Sequence, residues 1–130
     1  GKWFNMKITN VRLLTDHYRS MFNFYNETLR LECVFGNENS NYADFKLGEV
    51  YLSIFIKEHM IKALNFNDET EYKNHKQVIV VEVDDVDQTY EDFKSKTNVI
   101  TELTNRDIWG IRCFHILDPE SNVIEFYNAL

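Results

Sequence analysis

Ile8, Val11 and Leu13 punctuate Met6–Thr15 with apolar, often β-branched side chains, and this pattern predicts a strand. Asp16 then stands where a helix cap is expected. From there the period changes. Tyr18, Met21, Phe22, Tyr25 and Leu29 fall three to four residues apart, the stripe of an amphipathic helix over Tyr18–Arg30. Three short strands are predicted next, at Leu31–Gly36, Tyr42–Leu47 and Val50–Lys57, with Asn37–Asn41 and Gly48-Glu49 as turns. Glu58–Lys76 is polar and lacks a clean period; it reads as a connector with a short helical turn at His59–Leu64.

The pattern then restarts. Gln77–Val83 predicts a buried strand, and Asp85 with Gln88 three residues on has the form of a capping box. Val86, Tyr90 and Phe93 line one face of a second helix, and strands follow at Val99–Leu103, Gly110–Leu117 and Val123–Asn128. The predicted class is α+β: a βαβββ module over residues 6–57, a connector over 58–76 and a second module over 77–128. A four-stranded sheet with one helix covers only one of its faces, so two such modules are expected to enclose a groove.

The last hairpin gives the sharpest local expectation. Asp118-Pro119 favours a type I turn, and a loop over Asp118–Asn122 pairs Leu117 with Val123. Counting back, Ile116 meets Ile124 and Phe114 meets Phe126, which makes one wholly apolar face for a helix. The opposite face pairs His115 with Glu125 and Cys113 with Tyr127, and it points at the expected groove. Trp109 shares that parity if the strand runs unbroken through Gly110. A His opposite a carboxylate serves either as a cross-strand tie or as an acid/base pair, because the carboxylate fixes the imidazole tautomer.

Composition narrows the class. The chain has 130 residues, 44% of them hydrophobic and 15% aromatic, which excludes disorder, a collagen-like fibre and a coiled coil. No apolar run approaches the ~20 residues needed to span a bilayer, so no membrane partner is expected. A net charge of -7 argues against nucleic acid. Two cysteines make no disulfide framework, and a reducing cytoplasm is the expected compartment. Residues 1–5 read as an extension or a cloning remnant ahead of Met6.

Several further side chains are candidates. Arg12 shares a strand face with Asn10 and Leu14, where it either clamps an acidic group or neutralises Glu125. Tyr51, Ser53 and Phe55 share one face of the fourth strand, an aromatic and hydroxyl wall that suits a flat organic ligand or an ordinary half-buried sheet. Trp109 either stacks on a ligand or buries in a dimer contact. Cys113 lies two residues from His115, about 6.5–7 Å along a strand, too far for a direct thiol–imidazole hydrogen bond. His17, His59 and His75 read as surface residues.

Asn10-Val11-Arg12-Leu13, Phe24–Leu29, Val78–Asp85 and above all Trp109–Phe126 together resemble the vicinal oxygen chelate superfamily, which includes glyoxalases, ring-cleaving dioxygenases and bleomycin-resistance proteins. Two departures stand out: Arg30 replaces the glycine that usually ends the first helix, and Ser121 replaces the glycine of the usual Asp-Pro-x-Gly turn. The resemblance implies divalent-metal ligands on the first, fourth, fifth and eighth strands. Those positions fall on Asn10, on Tyr51 or Ser53, on Val78 and on Glu125. Only Glu125 keeps the family's ligand type, so no metal or other cofactor is expected.

The resemblance therefore implies a small-molecule-binding protein of the bleomycin-resistance kind, with Asn10, Arg12, Tyr51, Ser53, Phe55, Trp109, Cys113 and Tyr127 around an organic ligand, and a homodimer. The alternative is a glyoxalase-like lyase or isomerase. It would use an altered metal site, or His115 and Glu125 as a metal-free acid/base pair. A third reading, an interaction module, requires a groove filled by the chain's own side chains.

Overall fold

The computed structural model describes residues 5–64 and 75–130. The chain forms two compact units, Asn10–Val78 and Gly1–Thr9 with Ile79–Leu130. Strand β1 (Met6–Thr15) gives its first four residues to one unit and the rest to the other.

In the unit Asn10–Val78 the strand order is β2-β3-β4-β1, with β2 at Glu32–Phe35, β3 at Tyr42–Leu47 and β4 at Val50–Ile56. β1 runs parallel to β4 and places Arg12 beside Ser53; β3 runs antiparallel to β4 and places Asp44 opposite Ser53. Alternation sends Ala43, Phe45 and Ile54 to one face, where they pack with Tyr18 and Phe22 of α1 (Tyr18–Asn23).

Three local expectations are corrected here. The helix expected over Tyr18–Arg30 is α-helical only to Asn23, then widens into a π-helical turn over Phe24–Thr28, closed by Leu29 N–H donating to the Phe24 carbonyl at 2.9 Å. Asp16 is not its cap: His17 holds that position without a side-chain cap bond, and its N–H donates to Thr15 Oγ1 at 2.8 Å. The helical turn expected within the connector is a full helix, α2 (Lys57–Ala63), which follows β4 directly and buries Met60, Ile61 and Ala63. Connector residues 65–74 lie outside the described residues.

In the other unit, which takes β5 (Gln77–Val83) from Ile79 onward, the order is β5-β8-β7-β6, with β6 at Asn98–Arg106, β7 at Ile111–Leu117 and β8 at Val123–Ala129. The β7–β8 register matches the sequence arithmetic at every pair from Leu117↔Val123 to Cys113↔Tyr127. Its apolar face carries the core of this unit: Phe114, Ile116 and Phe126 pack with Val81, Val83 and Val86, and with Tyr90 and Phe93 of α3 (Val86–Phe93). Asp85 caps α3 by accepting from Gln88 N–H at 3.1 Å. Gln88 does not return the favour; its side-chain amide donates to Asp92 at 3.0 Å, so the capping box is half formed.

Candidate functional site

The face of the Asn10–Val78 sheet opposite α1 is polar. Asn10 Nδ2 donates to Ser53 Oγ at 2.9 Å, and Ser53 Oγ donates to Asp44 Oδ1 at 2.5 Å. A hydroxyl that accepts once and donates once is saturated in the directions that fix its rotamer, so this fully buried serine locks an amide and a carboxylate in place. Arg12, also buried, lies 5.9 Å from the Tyr42 ring centroid, and its Nη1 donates to Met60 Sδ at 3.5 Å. Burial drives the Tyr42 phenol up to about 12 against the opposing pull of the Arg12 charge, with Asp44 adding to the rise. Phe55 and the exposed His59 ring meet edge to face at 5.8 Å, which puts α2 on the same face.

Of the candidates, Asn10, Arg12, Ser53 and Phe55 therefore share one surface, joined by Tyr51, which is 38% exposed. Asp44, Tyr42 and Met60 were not expected. The alternation of β3 placed Tyr42 and Asp44 together, but only the β3–β4 register shows that they meet Ser53.

In the other unit, His115 and Glu125 are both 0% exposed and Cys113 is 1% exposed. His115 Nε2 and Glu125 Oε1 lie 2.7 Å apart. The second ring nitrogen, Nδ1, is 2.8 Å from Thr101 Oγ1, which also accepts the His115 backbone N–H at 2.8 Å. With one lone pair committed to that N–H, the threonine hydroxyl can donate to Nδ1 while Nε2–H donates to Glu125, or accept from Nδ1–H instead. The arrangement can therefore hold or move one proton at Nε2 and serves either tautomer. Thr101 was missed by sequence reasoning because β6 breaks register on both sides of it, which defeats a parity count.

Cys113 Sγ, a His115 ring nitrogen and a Glu125 oxygen all lie within 4.8 Å of one another. The side chains thus converge well inside the spacing of alternate strand residues. Tyr127 shares their face; its hydroxyl pairs with Thr9 Oγ1 at 2.9 Å and donates to Glu82 at 3.3 Å. Its phenol is raised, by burial first. Trp109 does not share that face. β7 begins at Ile111, and Trp109 sits in the Asp107–Gly110 turn with the Arg106 guanidinium 5.3 Å from its ring centroid. Gly110, at φ 69°, makes this turn and breaks the parity that the sequence implied.

The family's metal positions can be tested residue by residue. Asn10 and Ser53 are committed to each other and to Asp44, Tyr51 is a phenol, and Val78 is a fully buried hydrocarbon, which leaves the buried Glu125 as the one ligand of the family's type in the set. A transition-metal ion needs three or four nitrogen, oxygen or sulfur donors in defined geometry, and this set does not fit one.

The family model for the glyoxalase/bleomycin resistance protein/dioxygenase superfamily matches residues 7–126. A Bacillus subtilis (strain 168) relative, "Uncharacterized protein YraH", is 28% identical over 128 residues, covering 96% of this chain and all of that one. Among solved structures, a superfamily member from Vibrio splendidus 12B01 superposes with a TM-score of 0.69 at 13% identity, covering 95% of this chain and 98% of that one. A methylmalonyl-CoA epimerase in complex with methylmalonyl-CoA superposes at 0.68 and 19% identity, covering 95% and 94%. At these identities the structural likeness speaks for the fold alone. No helix of the described residues is long and apolar enough to cross a membrane.

Proposed function

Because the chain belongs to the glyoxalase/bleomycin resistance protein/dioxygenase superfamily, we propose that it is a small-molecule-binding member which holds an organic ligand without the family's conventional metal. One observation carries this reading. At the first- and fourth-strand positions where the resemblance calls for metal ligands, Asn10 and either Tyr51 or Ser53, the amide and the serine form a hydrogen-bonded chain with Asp44, on a face that also bears Arg12, Tyr42, Tyr51 and Phe55. Such a face offers aromatic area for a flat ligand and a few fixed polar groups to orient it. Asp44 supplies an acceptor for a donor-bearing or cationic edge, and Arg12 supplies a counter-charge to an acidic one.

The test is amide NMR of the full chain during titration with a panel of neutral, cationic and anionic aromatic compounds in metal-free buffer. The reading expects shift changes concentrated at Asn10, Arg12, Asp44, Ser53 and Phe55. Changes confined to α3, or appearing only after a divalent ion is added, would overturn it.

We place the protein in the cytoplasm, where its two cysteines, neither joined in a disulfide, stay reduced. We also propose that it pairs as a homodimer. Among the described residues β2 is the terminal strand of the order and exposes Val34 and Phe35, an apolar edge that a second chain can cover. Light scattering should then return twice the 15.6 kDa chain mass; a monomer at micromolar concentration contradicts the pairing.

A further inference from the structure

We propose that Cys113, His115 and Glu125 form a buried three-donor site for a divalent ion of zinc character, which keeps only Glu125 of the family's metal positions, takes its other two donors from β7, and is independent of the ligand-binding reading. The three side chains leave one face of one paired ladder: His115 faces Glu125 directly across β7 and β8, and Cys113 is the next inward residue of β7. They present a sulfur, a nitrogen and an oxygen within 4.8 Å of one another, each on a side chain no more than 1% exposed. Thiolate, imidazole and carboxylate are the donor types that zinc takes.

The charges also balance. A thiolate and a carboxylate with a neutral imidazole carry two negative charges, so a divalent ion makes the set neutral. Neutrality removes the main cost of burying it.

The imidazole is already braced as a ligand. A metal-binding His needs one nitrogen for the ion and a partner for the other. Here Nε2 faces the carboxylate and Nδ1 faces Thr101 Oγ1. On binding, the ion takes the Nε2 lone pair and the imidazole proton stands on Nδ1, donated to Thr101. Cys113 loses its thiol proton to solvent as the metal–sulfur bond forms.

The displacements required are small. With bonds of about 2.0–2.3 Å in a tetrahedron, donor atoms sit about 3.3–3.7 Å apart. The His115–Glu125 pair must open from 2.7 Å, and the sulfur must close from within 4.8 Å. The first is a change of about 0.6–1 Å and the second of at most about 1.5 Å, both within reach of side-chain rotation. The register breaks of β6 on either side of Thr101 mark where this unit's ladder is least regular, and hence where an ion would enter.

The experiment is a Co2+ titration of the full, tag-free chain, followed by absorption spectroscopy with a phosphine reductant present. One equivalent should produce a thiolate-to-cobalt charge-transfer band, and Zn2+ should displace it. Cys113→Ser should abolish the band and His115→Gln should weaken binding at least tenfold, whereas Cys33→Ser should leave both unchanged. Zn2+ should raise the melting temperature of the wild type, a readout that needs no variant to fold. Absence of the band in the wild type, its survival in Cys113→Ser, or its loss in Cys33→Ser would each overturn the proposal. Organic-ligand binding to the other unit is not touched by any of these results.

Discussion

Ser53 is one hydroxyl, and its surroundings explain why a serine stands there. It is fully buried, accepts from Asn10 and donates to Asp44, so replacing it would take a partner from two polar groups at once and leave them only their direct 3.5 Å contact, at a cost of about 1–3 kcal/mol. Tyr42, on the same face, makes the polarity measurable. Its folded pKa of about 12 stands above the unfolded value near 10, so the folded state keeps a proton that the unfolded state has lost. The resulting contribution is intact below pH 10 and disappears as pH rises toward 12, on the order of 2–3 kcal/mol. Urea midpoints measured between pH 9 and 12 should fall for the wild type and fall less for Tyr42→Phe. Parallel profiles would mean that the phenol is not held in this environment. Neither Asp44 nor Tyr42 was legible in the sequence, because their meaning depends on a pairing between β3 and β4 that no local pattern announces.

Two elements end on residues that break the family's glycine habit. Arg30, after the π-helical turn, has φ 57°, and Ser121, in the β7–β8 turn, has φ 63°. Both therefore occupy the left-handed conformation that glycine adopts without strain, at a cost of about 1–2 kcal/mol each. Glycine recovers that strain but gives back about 0.5–1 kcal/mol through the greater freedom of the unfolded chain. Arg30→Gly and Ser121→Gly should each stabilise the protein by up to about 1 kcal/mol, read as a raised urea midpoint with an unchanged slope. A lowered midpoint would show that the side chain itself holds the turn. In the second case Asp118 does most of the holding, since its carboxylate accepts from the N–H groups of Glu120 and Asn122 and from the Asn122 amide. Those bonds, the side-chain one first, pull the Asp118 carboxyl below its usual range.

Legibility at this scale follows the range of the interactions. The β7–β8 register was readable to the residue because a five-residue loop and a two-residue period determine it locally. α2 is legible only as a single late turn because its start, Lys57-Glu58-His59, is polar and its buried side chains, Met60, Ile61 and Ala63, come only in its second half. Trp109 was misplaced for the opposite reason: a four-residue turn with a left-handed glycine interrupted a parity that looked continuous.

For the whole molecule, family membership follows from a match over nearly the full chain, and it brings the α+β fold with it. It does not bring the chemistry. The first-, fourth- and fifth-strand positions that should hold an ion carry an amide, a hydroxyl or phenol, and a valine. The eighth-strand carboxylate, Glu125, is kept, and a thiol and an imidazole of β7 stand beside it. The sequence showed these three on one strand face, but their convergence to within 4.8 Å is a matter of rotamers and not of spacing.

The proposed function requires the Asn10–Ser53–Asp44 face to recognise an organic molecule with no help from a metal. Calorimetric titration of the tag-free chain with the aromatic panel in metal-free buffer, beside a Ser53→Ala variant shown to be folded, tests it most directly. At least one compound should bind once per chain and lose at least tenfold in affinity in the variant. Binding that appears only with an added divalent ion, or equal affinity in the two proteins, would contradict it.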